Sequence, residues 1–236
     1  GQVIMTSAAA SALWSNVVSN SGTIQARELS GQGGQVRLQA DNQQGEVVMG
    51  GVIDVSGLEQ AGQVVIQAQQ FQQQGEIRAN STQAGGGQIK LLAEHLQLQT
   101  GSAIHADGAS GGGEVQIGAT QNNLQQELQA RQLQLAAGAV VTADAKQRGQ
   151  GGRITLISAL NNSQAVTTIA GTLSAQGGQQ SGAGGFIETS GHLLNIASTS
   201  HITTTARHGK SGEWLLDPND FTIASSGGDL TGSALS

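Results

Sequence analysis

GGGQIKLLAEHLQLQTGSAIHADG, from Gly85 to Gly108, holds three short runs of alternating apolar residues: Ile89-x-Leu91-x-Ala93, Leu96-x-Leu98 and Ile104-x-Ala106. A period of two marks a strand, because successive side chains of an extended backbone point to opposite faces. Glycines or turn residues separate one run from the next. The stretch predicts three short strands with one apolar side each, joined by tight corners.

The pattern recurs along the chain. The first apolar residue after each Gly-rich corner falls at Val36, Val64, Ile89, Val115, Ile154, Ile187 and Trp214, at spacings of 28, 25, 26, 39, 33 and 27 residues. Alternation from these positions sends Arg37, Gln39, Lys90 and Gln116 to the opposite, outer side. A second series, Ile24, Ile53, Ile77, Ile104, Val141, Leu173 and Ile202, stays in step with the first over seven units. A third runs through Val47-Met49, Phe71, Leu96-Leu98, Leu133-Leu135 and Leu194-Ile196. A unit too small to bury its own core, repeated at a nearly fixed period, is a solenoid. Three strands per unit predict an all-β parallel helix of triangular section with about 7 to 8 coils. At about 4.8 Å per coil the section is about 35 Å long.

Composition agrees. Aromatics make up only 2% of the 236 residues, so the interior is filled by small and β-branched side chains and must be narrow. The 36 glycines cluster at corners such as Gly33-Gly34, Gly85-Gly86-Gly87, Gly111-Gly112-Gly113 and Gly151-Gly152, between apolar strands, and form no linker tract. A net charge of −6 argues against nucleic acid and against a polybasic membrane patch. No apolar run approaches the roughly 20 residues of a membrane helix, and the start lacks the basic n-region of a signal peptide. The absence of cysteine removes disulfides and thiolate metal sites without fixing a compartment.

The whole of 1–236 reads as one β-helical section of a longer rod. Residues 1–21 fit least well and predict an irregular first coil built on Val3, Met5, Leu13 and Val17-Val18. Residues 120–132 form an insertion, a loop or one to two helical turns, over Asn122 to Ala130. A smaller excess falls near Asn161-Asn162-Ser163. Residues 224–236 read as a truncated end without the polar cap a solenoid needs.

Two blocks carry a family resemblance. One is Gly184-Gly185-Phe186-Ile187-Glu188-Thr189-Ser190-Gly191-His192. The other is Gly212-Glu213-Trp214-Leu215-Leu216-Asp217-Pro218-Asn219-Asp220-Phe221-Thr222-Ile223. In this order they resemble the GGFIETSG…WLLDP…TI signature of large two-partner-secretion exoproteins, which include filamentous-haemagglutinin-like adhesins, haem-acquisition and biofilm-matrix proteins and contact-dependent inhibition proteins. The resemblance implies a right-handed parallel β-helix exported through an outer-membrane TpsB-type partner barrel, hence a secreted or surface protein of a Gram-negative cell. It also implies an N-terminal secretion domain, which the sequence does not display; the motifs place the chain downstream of one, in the stalk. It carries over no catalytic or binding residue. Physically, Trp214 and Leu216 take the inward positions of Val36 and Leu38. Asp217-Pro218-Asn219-Asp220 reads as a turn, after which Phe221 and Ile223 resume alternation.

The chemistry-bearing residues form no catalytic, cofactor or metal constellation in the sequence. His95, His105, His192, His201 and His208 read as surface histidines, although His201 and His208 lie seven apart near one corner. The outer position after the second series holds Arg27, Ser56, Asn80, Asp107, Asp144, Gln176 and Thr205. Asp107 and Asp144 fall on neighbouring coils, where β-helical polysaccharide enzymes gather carboxylates, but a lone stacked pair at a corner reads first as a turn requirement. His208-Gly209-Lys210-Ser211 lacks the upstream glycine of a phosphate loop, and neither the calcium nonapeptide nor an EF-hand is present. Glutamines, among them Gln63, Gln72, Gln74, Gln88, Gln97, Gln99 and Gln134, predict first of all amide ladders between coils; the same groups could meet sugar hydroxyls, a reading that the scarcity of aromatic platforms weakens. The expected function is a non-enzymatic stalk of a secreted adhesin whose partners include an extracellular polysaccharide or a host-cell glycan or protein. A polysaccharide-binding or -cleaving module, or the stick of a contact-dependent inhibition protein, are the alternatives.

Overall fold

Alternating strands too narrow to form a core alone must stack, and stacking of successive units makes their strands parallel. A computed structural model describes residues 1–7, 16–28, 31–119, 128–218, 223–224 and 230–231. Every strand pairing among them is parallel. The chain visits three faces in turn and returns to the first, as a right-handed parallel β-helix with no helix among the described residues.

The first face stacks Gln2–Thr6, Gln35–Gln39, the start of Gln63–Gln73, the start of Gln88–Leu98, Glu114–Gly118, Arg153–Ile157, Phe186–Gly191 and Glu213–Pro218. The second stacks Asn16–Asn20, Gly45–Met49, the ends of the two long strands, Gln132–Leu135, Val166–Ile169 and Leu193–Ile196. The third stacks Thr23–Gln25, Val52–Asp54, Glu76–Arg78, Ala103–His105, Val140–Thr142, Thr172–Ser174 and His201–Thr203. The described residues thus make seven full rungs and the opening strand of an eighth.

The columns read from the sequence stand in register. Val36, Val64, Ile89, Val115, Ile154, Ile187 and Trp214 pair in succession on the first face. Ile24, Ile53, Ile77, Ile104, Val141, Leu173 and Ile202 do so on the third. Most of these side chains are fully buried in one continuous core, each worth about 1.5–3 kcal/mol of apolar burial.

Details differ from the sequence reading. The first coil is regular where described: Val3 and Met5 pair with Val36 and Leu38, and Val18 with Val47. Leu13 lies outside the described residues, as do 120–127 of the insertion and most of 224–236. Of the insertion's end, Ala130 bridges to Ser158 and Gln132 already opens the second-face strand. The excess in the sixth rung is a turn in which Asn162 Oδ1 accepts the Gln164 N–H at 3.0 Å. Gln116, placed outside by alternation, is nevertheless buried, and its amide donates to Gly118 O at 3.0 Å. The turn expected from Asp217 does not begin there: the strand continues through Asp217 to Pro218, in register with Ser190 and Gly191. Proline is tolerated there because Glu213–Pro218 is the edge strand of its sheet among the described residues.

Polar residues also enter the inner columns. Asn20 and Gln73 sit under Met49 and Leu98 at the corner between the second and third faces. Each turns its amide on the corner backbone, Asn20 to Val52 O at 3.3 Å and Gln73 to Gly75 O at 3.1 Å. A buried amide is tolerated when its donors are used this way.

Candidate functional site

The two sequence blocks meet on the first face, in the seventh rung and the opening strand of the eighth. Their glycines are there for clearance. A Cβ on Gly184 would lie 1.7 Å from Thr204 O, and one on Gly185 2.1 Å from Gly152 O, so no side chain fits between the rungs. Ile187 fills the core below Trp214. Glu188 faces outward yet is only 3% exposed. Its carboxylate lies 3.6 Å from the Arg153 guanidinium and accepts the Ser190 hydroxyl at 3.2 Å. Arg153 in turn lies over the Phe186 ring, 4.1 Å from its centroid.

Thr189 occupies an inward column position that is apolar at its seven other members, Met5, Leu38, Ile66, Leu91, Ile117, Leu156 and Leu216. It is fully buried and accepts the Trp214 indole N–H at 3.0 Å. Thr167 Oγ1 donates to Ser190 O at 2.8 Å, and a Cβ on Gly191 would come within 2.4 Å of Ser158 Oγ. Trp214, Leu215 and Leu216 are half-buried. Asn219, Asp220 and Phe221 lie outside the described residues. The motif is therefore a clip across three rungs: a buried charge, a threonine swapped into an apolar column, and the indole that swap accommodates. Alternation finds the inward and outward sides but not this exchange, which only the Thr189–Trp214 register reveals.

The third face carries the charge. The outer corner position named from the sequence is a staircase of hydrogen bonds. Ser56 Oγ accepts the Asn80 N–H at 3.1 Å, Asn80 Oδ1 that of Asp107 at 2.8 Å, Asp107 Oδ1 that of Asp144 at 2.8 Å, and Asp144 Oδ1 that of Gln176 at 2.8 Å. Asp107 and Asp144 are each 8% exposed. Lys146 Nζ closes them from outside, 3.0 Å from one carboxylate and 3.1 Å from the other. Burial works against the Lys146 charge, but the two carboxylates outweigh it and hold its pKa above the ordinary lysine value. Ser174 adds a hydroxyl to Asp144 Oδ1 at 2.6 Å, so these oxygens are occupied by backbone, hydroxyl and ammonium donors.

The row continues toward the first rung. His105 bonds Thr142 at 2.9 Å and lies 3.7 Å from Glu76, which pairs with Arg78. Asp54 pairs with Arg27 at 3.3 Å. Burial raises the Asp54 pKa, but bonds from Ser56 and the Arg27 charge bring it below the usual aspartate value. Beside it, Glu28 Oε2 accepts three successive backbone N–H groups, of Leu58, Glu59 and Gln60, at 2.8–3.1 Å. The Gln60 and Glu59 bonds depress its pKa. Sequence reasoning missed this loop; three consecutive amides converging on one oxygen is a property of backbone shape.

Among the described residues no three of His, Asp and Glu converge as a metal set. His201 and His208 are both exposed. The glutamines do build ladders: Gln63 to Gln88 at 3.3 Å, Gln74 to Gln99 at 2.8 Å, Gln99 to Gln72 at 3.2 Å, and Gln72 to Glu46 at 2.9 Å.

No family model matches the sequence, and no curated protein matches it. Among solved structures, the HMW1 secretion domain from Haemophilus influenzae is similar, with a TM-score of 0.67 and 25% identity. The similarity covers 86% of this chain and 50% of that one, so the chain spans about half the length of its relative. In fold, and in a quarter of its aligned residues, the chain is similar to a secretion domain.

Proposed function

We propose that this chain is a β-helical section of a large exoprotein that a Gram-negative cell exports by two-partner secretion and displays as an adhesin shaft. The observation that carries the reading is the similarity to the HMW1 secretion domain over 86% of the chain, joined to the GGFIETSG and WLLDP blocks. The sequence blocks favour a stalk that follows a secretion domain, whereas the similar structure is itself a secretion domain. Both readings share export through a TpsB-type transporter. The role is mechanical: a stiff shaft whose charged row, amide ladders and clip hold rungs together, with no catalytic step. Adhesion to a cell or a biofilm matrix is the service such a shaft performs.

The test is secretion. The chain, preceded by a Sec signal, is expressed in a Gram-negative host with and without a TpsB-type transporter. Appearance in the medium only with the transporter is the expected result, for the chain alone if it bears the export determinant and for the chain fused behind a secretion domain if it is stalk. Periplasmic retention in both hosts, even when the chain is fused behind a secretion domain that the same transporter exports, would overturn the reading.

A further inference from the structure

The amide ladders leave one row unexplained. Gln97, Gln134, Thr168 and Asn195 stand in register on four successive rungs of the second face, pointing outward. Among the described residues their side chains make no hydrogen bond to protein, unlike Gln72, Gln74 and Gln99 beside them. Gln97, Gln134 and Thr168 line a shallow cleft of about 300 Å³ together with Gln132 and Val166. The neighbouring outward row, His95, Gln132, Val166 and Leu193, turns apolar at its last two members, and Leu193 is 43% exposed. A row of free donors and acceptors thus runs along the rod axis, flanked over its last two rungs by aliphatic surface.

We propose that this row is a binding strip for a neutral polysaccharide lying parallel to the rod axis. Charge complementarity selects that occupant. The two outward rows hold no Asp, Glu, Lys or Arg over these rungs, while the third face holds Asp107, Asp144, Lys146, Glu76 and Arg78. Of the flanking charges, Glu94 and Arg131 pair with each other at 3.1 Å, and Glu46 is held by Gln72 at 2.9 Å. An anionic chain finds no cation here, and the net charge of −6 repels it. Primary amides and hydroxyls offer both donors and acceptors, which is what a hydroxyl-rich, uncharged ligand requires. Rungs about 4.8 Å apart come close to the advance of one pyranose unit in an extended chain, so neighbouring side chains reach neighbouring sugars over a few rungs. The aliphatic edge at Val166 and Leu193 receives the C–H face of a ring.

The test is affinity electrophoresis of the folded chain through gels containing hydroxyethyl cellulose, galactomannan or polygalacturonate. Retardation by at least one neutral polymer and none by polygalacturonate is expected. The double variant Gln97→Ala/Gln134→Ala should bind about tenfold more weakly, having lost up to four hydrogen bonds, with an unchanged melting temperature. Gln63→Ala/Gln88→Ala, which removes a ladder on another face, should bind as the parent does. Passage through both neutral gels without retardation overturns the proposal. So does equal retardation of the Gln97/Gln134 variant, or retardation by polygalacturonate alone. Sedimentation showing a dimer that the Gln97/Gln134 variant dissolves would give the strip to a second copy and also overturn it. None of these results bears on export, which the secretion assay reads separately.

Discussion

Thr189 shows how one residue can betray a design. Its hydroxyl sits in an aliphatic column, and only the Trp214 indole makes it useful. Thr189→Val keeps the shape but orphans a partly buried donor, which should cost about 1–3 kcal/mol. The expected result is a lower urea midpoint with an unchanged slope, read by far-ultraviolet circular dichroism. Glu28 and Asp54 give the pH dependence. Both carboxyls have folded pKa values below their ordinary values of 4.5 and 3.8. Their contribution is complete above those unfolded values and is lost as pH falls through the lower folded ones. Acid titration should therefore destabilise the parent below about pH 4, and Glu28→Gln should flatten that decline. Lys146 has the opposite sign: its raised pKa favours folding below its ordinary value of 10.5, and the benefit fades as pH climbs through the folded value.

At the scale of the strand, what the sequence discloses depends on whether the face is judged by pattern or by partner. The columns through Val64, Ile89 and Ile104 were legible because a buried side demands an apolar residue at every second position. Ile104→Ala in the third-face column should cost about 2–5 kcal/mol by cavity formation, against less than about 0.5 kcal/mol for Gln97→Ala on the open second face. Denaturant titration of both variants checks the contrast. Corner chemistry was legible only in outline. The sequence places Ser56, Asn80, Asp107 and Asp144 at one position, but whether they meet as acids or bond to backbone depends on register to within a fraction of a rung. The strand through Asp217 and Pro218 was hidden because Asp-Pro-Asn-Asp carries turn propensity, and pairing with Ser190 and Gly191 overrode it. The fate of the glutamines was equally hidden: Gln74 finds Gln99, whereas Gln97 finds no protein partner, and composition cannot separate the two.

Across the whole molecule, each rung touches only its neighbours, so stability is a sum over adjacent pairs. A charge buried in the middle should divide that sum. Ile117→Asp in the fifth rung is expected to split a single calorimetric transition into two, one for the rungs on each side; a single transition shifted to lower temperature would contradict the nearest-neighbour picture. The staircase from Ser56 to Gln176 adds a sense of travel. In each of its steps the oxygen belongs to the earlier-numbered rung and the N–H to the later one. A polypeptide threaded through a pore amino end first would lay down every acceptor before its donor arrives. Each new turn would then latch onto a finished one, and the latching would hinder the emerged length from slipping back.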